Sequence, residues 1–206
     1  MPDADPRIYL VSPVLSEAAG FSPLLREALA GGGVASLLLR FSAPDDVAAA
    51  RIAADIAPLA QSRGVAVILA EKPGLVQATG ADGAHVSGVG PALEAAIKRL
   101  APDHIVGAGA LATRHEAMIA GEAGADYLLF GEPGETEPLA AREERVAWWA
   151  ELFTTPCVAF AEDVSEISRL IRAGADFVML GDLVWRDPRG AGVAMEGARR
   201  LIAEAS

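Results

Sequence analysis

Cysteine is nearly absent: Cys157 is the only one in 206 residues, so no intrachain disulfide can form and no cysteine cluster can hold zinc. Basic residues are the next shortage. Against 28 Asp and Glu stand 17 Lys and Arg, and the formal net charge of −11 argues against a nucleic-acid-binding surface or attachment to an anionic membrane. No apolar run approaches the roughly 20 residues needed to span a bilayer. The opening Met1-Pro2-Asp3-Ala4-Asp5-Pro6 is acidic where a signal peptide would be basic. Linkers and low-complexity tracts are missing too, which speaks against a second domain. These absences lead us to expect a single cytoplasmic domain over 1–206 whose partners are small molecules or protein, a second copy of the chain included.

What the sequence does have is hydrophobic content, 52%, and a phrase said three times. Gly80-Ala81-Asp82, Gly124-Ala125-Asp126 and Gly174-Ala175-Asp176 each follow an Ala-rich stretch and open an apolar run. Their starts lie 44 and 50 residues apart, room for one or two strand-plus-helix units and too long for a short solenoid repeat. Strand-type runs read Ile8–Ser12, Ser36–Phe41, Val65–Ala70, Ala84–Ser87, His104–Ala108, Tyr127–Gly131, Cys157–Ala161 and Phe177–Gly181. Helical stretches follow them at Phe21–Ala30, Asp45–Ser62, Gly74–Thr79, Pro91–Leu100, Arg114–Ala123, Arg142–Thr154, Ser165–Ala173 and Val193–Glu204. Eight alternations predict an α/β fold, a (β/α)8 TIM barrel, whose chemistry sits at the C-terminal ends of the strands.

By that placement Arg40, Glu71, Lys72, Asp163, Asp182 and Arg186 all fall at strand C-termini, whereas random surface charge would scatter over both barrel faces. We take them as lining a pocket. His115, just inside the fifth helix, is a further ligand contact; His104 stands at a surface corner. Gly107-x-Gly109-x-x-Ala112 has the look of a dinucleotide turn without the doubly wound sheet such a turn needs. Trp148-Trp149 either packs on the barrel or marks an association surface, since neighbours on a helix point about 100° apart. Cys157 reads as an inert small hydrophobe. The acidic stretch Glu132-Pro133-Gly134-Glu135-Thr136-Glu137-Pro138 reads as a ligand wall or a plain surface loop.

The chain resembles the thiamine phosphate synthases and their relatives the thiazole tautomerases. Arg7-Ile8-Tyr9-Leu10-Val11-Ser12 is similar to the family's opening strand, Gly80-Ala81-Asp82-Gly83-Ala84-His85-Val86 to its Gly-Ala-Asp-Gly-Val-His-Leu, and Gly124-Ala125-Asp126-Tyr127 followed by Gly131 to its Gly-Ala-Asp-Tyr-x-x-x-Gly. The resemblance implies coupling of a pyrimidine methyl diphosphate to a thiazole phosphate with release of diphosphate, aided by magnesium. It implies diphosphate contact for Arg40, a structural role for His85 with a metal or catalytic role as the alternative, and Glu71 as the surviving magnesium ligand, with Lys72 able to neutralise it. Much else departs from the family: Leu38 and Ser42 replace a glutamine and a lysine, Ser87-Gly88-Val89-Gly90 carries no metal aspartate, the fifth-strand serine becomes glycine at Gly107-Ala108-Gly109-Ala110, and a loop lysine falls at Leu139. Glu162, Asp163 and Asp182 stand where the family binds phosphate on bare amides. Like charges about 5 Å apart repel by roughly 3 kcal/mol at an effective dielectric near 20, unless Arg186 or Arg189 intervenes. Three readings follow: a synthase-family protein with an incomplete catalytic set and weak or no synthase activity, a catalytically silent paralogue that binds a ligand or protein, or a tautomerase-like isomerase needing only an acid–base group.

Overall fold

Eight strands close on themselves in chain order, each parallel to its neighbours and the first hydrogen-bonded to the last. They are β1 (Arg7–Leu15), β2 (Val34–Phe41), β3 (Ala66–Ala70), β4 (Gly83–Ser87), β5 (Ile105–Gly109), β6 (Tyr127–Phe130), β7 (Cys157–Ala161) and β8 (Phe177–Leu180). This computed structural model describes residues 7–42 and 45–205. The helices between and after the strands are α1 (Phe21–Leu29), α2 (Asp46–Gln61), α3 (Val76–Thr79), α4 (Pro91–Leu100), α5 (Arg114–Ala123), α6 (Leu139–Leu152), α7 (Val164–Arg172), α8 (Asp182–Trp185) and α9 (Ala191–Ala205). Among the described residues no helix is long and apolar enough to cross a membrane.

The expected elements are all present, with differences at their ends. β1 runs on to Leu15 instead of stopping at Ser12, and its register against β2 slips between Val11 and Val14. Pro13 has no N–H for the ladder, so the strand continues past it only by bulging. α6 starts at Leu139, three residues before the expected Arg142, directly behind Pro138. The four-residue α8 was not anticipated. The third helical stretch is a 3₁₀ turn, Pro73–Leu75, running into α3.

The three repeated phrases turn out to be one structural device. Gly80, Gly124 and Gly174 hold φ of +68°, +98° and +104° and end α3, α5 and α7, a conformation that glycine adopts without a Cβ penalty. The following alanine is buried. The aspartate then grips the preceding odd-numbered strand twice: Asp82 N–H donates to the Val67 carbonyl and its carboxylate accepts the Val67 N–H, at 2.8 and 2.7 Å. Asp126 does the same to Val106, and Asp176 to Cys157. All three grips lie at the N-terminal face, opposite the end where a barrel does its chemistry.

Two apolar layers result. One fills the space between sheet and helices; the other fills the barrel axis with Tyr9, Val11, Leu38, Ile68, Tyr127, Phe160 and their neighbours. Against them β5 presents glycine. A Cβ on Gly107 would stand 2.0 Å from the Tyr127 ring, and one on Gly109 would stand 2.3 Å from a Glu132 carboxylate oxygen and 2.5 Å from His85 Nε2. These glycines make room inside the barrel, which replaces the dinucleotide-turn appearance of this stretch.

Candidate active site

A cavity of about 280 Å³ opens at the C-terminal mouth, and Arg40, Glu71, Lys72, His85 and Glu132 all line it. Arg40, at the end of β2, is fixed through its backbone N–H on Ser12 Oγ and its Nε on the Ser12 carbonyl, both 2.9 Å. Burial lowers its pKa, and the negative fields of Asp182 and Glu132 offset part of that fall. The cation is therefore oriented toward the mouth, with two of its guanidinium nitrogens outside the Ser12 contact.

Glu71 leaves β3 with φ of +56°, a left-handed conformation uncommon for a residue with a side chain. Two hydrogen bonds hold it there: its N–H donates to the His85 carbonyl at 2.8 Å and its carboxylate accepts the Ser87 N–H at 2.7 Å. Lys72 shares the cavity, but its ammonium pairs with Asp46 at the start of α2, 2.7 Å away, instead of with Glu71. Among the described residues no group of three or more His, Cys, Asp or Glu side chains is placed to hold a metal ion.

The remaining expected residues lie apart from this cavity. Asp163 caps α7, accepting from Ser165 N–H and Oγ at 2.7 and 2.6 Å, and those bonds lower its pKa. Asp182 opens α8 and pairs with Arg186 one turn on, at 3.1 Å and well exposed. Arg189 is held by its own neighbour Asp187. His115 is exposed on the first turn of α5 and is not part of the cavity lining. The amides after β7 are partly spoken for: Glu162 N–H donates to Glu166 and Ser165 N–H to Asp163.

Sequence reading missed the polar column inside the barrel. Tyr9 and Tyr127 share a hydrogen bond of 2.7 Å between hydroxyls, and the Tyr127 hydroxyl lies 2.9 Å from His85 Nδ1. Burial pushes both phenols above their ordinary pKa, so both keep their protons. His85 is 3% exposed, and its Nε2 faces a Glu132 carboxylate oxygen at 3.6 Å, neither atom having a hydrogen-bond partner. The acidic loop divides its three carboxylates accordingly. Glu132 turns into the barrel, Glu135 accepts the Glu132 N–H, and Glu137 pairs with Arg145.

Arg142, three residues past Leu139, was also missed. It is 1% exposed and donates to the Phe160 carbonyl at 2.7 Å and to Glu166 at 3.1 Å, so it is tied into the wall of the barrel. Trp149 is buried and stacks on Phe153 at 4.0 Å, while Trp148 is half-exposed under the Arg114 guanidinium. Cys157 is fully buried, and its thiol is pushed up to about 12, first by burial and then by Asp176.

Comparison with known proteins places these features in context. The family described as thiamine monophosphate synthase matches residues 8–183. The chain is 37% identical over 203 residues to the thiamine-phosphate synthase of Rhodospirillum centenum, covering 96% of this chain and 98% of that protein. It is 35% identical over 206 residues to the thiamine-phosphate synthase of Hyphomonas neptunium, covering 95% and 93%. Among solved structures, thiamine phosphate pyrophosphorylase from Pyrococcus furiosus superposes with a TM-score of 0.81 at 22% identity, covering 97% of this chain and 96% of that one. A 3-hexulose-6-phosphate synthase from Salmonella typhimurium superposes with a TM-score of 0.76 at 12% identity, covering 97% and 100%. Both superpositions speak to the barrel alone.

Proposed function

The chain belongs to the thiamine monophosphate synthase family, and from that membership we propose that it serves thiamine biosynthesis as a barrel that binds the synthase's substrates while coupling them slowly or not at all. The observation that carries this reading is the mouth cavity. Arg40 is set there to contact an anionic group, with Lys72 and Glu71 beside it. Charge-assisted bonds from an oriented guanidinium are the strong kind for phosphate oxygens.

The same cavity argues for reduced turnover. The magnesium that the family resemblance implies is poorly fitted by these residues: Glu71 offers a carboxylate already engaged by the Ser87 N–H, the other carboxylate of the cavity, Glu132, faces His85, and among the described residues no group of three or more His, Cys, Asp or Glu side chains is placed to hold a metal ion. Lys72 spends its charge on Asp46, and the carboxylates Asp163 and Asp182 occupy the ends of β7 and β8. The silent-paralogue reading draws on these same engagements. The tautomerase-like reading would have to draw on His85 and Glu132 for its proton transfer.

Thiamine phosphate formation from the pyrimidine methyl diphosphate and the thiazole phosphate, with magnesium, tests the reading directly. We expect turnover at least tenfold below that of the Rhodospirillum centenum protein assayed alongside. Turnover within tenfold would overturn the reduced-activity reading, and binding without turnover would favour the silent paralogue.

A further inference from the structure

The barrel axis is left open at its N-terminal end. A cavity of about 280 Å³ lies there, and each of its lining residues stands within two positions of a strand start. It shares no lining residue with the cavity at the C-terminal mouth. Bulky branched side chains usually close the layers of a barrel. Here β2 and β3 contribute Ser36 and Ala66 to the lining, and these small residues leave the space unfilled.

The inner surface of the cavity is aromatic. Tyr9 and Tyr127 meet edge to face with ring centroids 5.6 Å apart, and their hydroxyls are engaged with each other and with His85, so what they add to the cavity is ring surface. Around it stand one exposed cation and one exposed anion that do not pair. The Arg7 guanidinium lies over the Phe177 ring at 4.7 Å and has no carboxylate partner among the described residues. Asp126 accepts the Val106 N–H on Oδ2 at 2.8 Å, and its Oδ1 has no hydrogen-bond partner among the described residues. These charges select what can enter. A simple anion is opposed by Asp126 and by the formal net charge of −11, and a simple cation is opposed by Arg7. A zwitterion meets both favourably.

We propose that this cavity binds a free amino acid with an aromatic side chain. The carboxylate takes the Arg7 guanidinium and the ammonium takes Asp126, both through charge-assisted hydrogen bonds. The ring enters against Tyr9, Tyr127 and Phe177, where aromatic rings pack edge to face or offset. Ser36 and Ala66 are the residues that admit it. The volume lies just below the roughly 300–1,000 Å³ of ordinary ligand pockets, which suits a ligand this small. The site is independent of the function proposed above, since it lies at the far end of the barrel from the residues that carry that function.

Calorimetric titration with L-phenylalanine, with phenylpropanoate, which lacks the ammonium, and with phenethylamine, which lacks the carboxylate, tests this. Magnesium and the synthase substrates are left out, so failure of the synthase assay and failure of this titration are separate results. L-Phenylalanine is expected to bind with a Kd of roughly 1 mM or tighter. Each analogue is expected to bind about tenfold more weakly, since a site built to hydrogen-bond a group rejects an analogue lacking it. Ala66→Leu fills the cavity and is expected to abolish binding. If that variant does not fold, Arg7→Gln, a change at an exposed residue, is read in its place and is expected to bring L-phenylalanine to the affinity of phenethylamine. No heat from L-phenylalanine at about 10 mM, equal binding of the three compounds, or binding that survives the variant read would each overturn the site. So would a loss on Arg40→Gln with none on Arg7→Gln, which would place the ligand at the C-terminal mouth.

Discussion

Arg142 shows how much one residue can decide. Its guanidinium, sealed under the barrel wall, joins α6 to the end of β7 through Phe160 and to α7 through Glu166, and Glu166 in turn accepts the Glu162 N–H. Gly131 makes the space, since a Cβ there would stand 2.3 Å from Arg142 Nε. Arg142→Met leaves a buried carboxylate without its cation, and breaking a buried pair from one side costs about 3–5 kcal/mol. Urea unfolding should show that loss as a lower midpoint with an unchanged slope, and a loss under about 1 kcal/mol would mean that Glu166 finds another partner. None of this was legible beforehand. An arginine on an amphipathic helix reads as solvated, and Glu132 read as one of three acids in a loop taken either as a ligand wall or as plain surface, because sequence periodicity reports which face a residue occupies and not where a long side chain ends. Arg40, Glu71 and Lys72 were legible because a barrel strand delivers its last residues to one place by geometry alone.

At the scale of elements, the aspartate grips explain why three strands begin where they do. The carboxylate of Asp126 supplies the partner that the Val106 N–H would otherwise lack, and bonds to charged acceptors contribute about 1.5–3 kcal/mol each. Asp126→Ala should cost about that much in thermal or urea unfolding and speed hydrogen exchange at the Val106 amide. Unchanged protection there would show that the backbone ladder suffices. The repeated phrase gave the barrel away in the sequence because it joins a helix stop to a strand start, and both have residue-level signatures. Its address, at the face away from the chemistry, follows only once the strands are known to be parallel. Periodicity also had nothing to say about α8, since four residues span barely one turn, or about β1 beyond Pro13, where the strand survives by a bulge that pattern alone does not show.

For the whole molecule, the formal charge of −11 sets a field against any anionic ligand, and the ends of β7 and β8 concentrate it with Glu162, Asp163 and Asp182. Arg186 and Arg189 face Asp182 and Asp187. Titration of thiazole phosphate against its dephosphorylated alcohol is therefore expected to show no preference for the phosphate, and a clear preference would mean that those arginines are released to rebuild the site. The aspartate grips carry a different consequence at this scale. Each turns a strand–helix–strand passage into a sealed module, β3 with β4, β5 with β6, and β7 with β8, so the fold reads as one unit tripled. The first pair, β1 with β2, has no such seal among the described residues and is joined by the longest strands instead, and beside it the ring closes where β1 pairs with β8, so the one unsealed module adjoins the seam of the barrel.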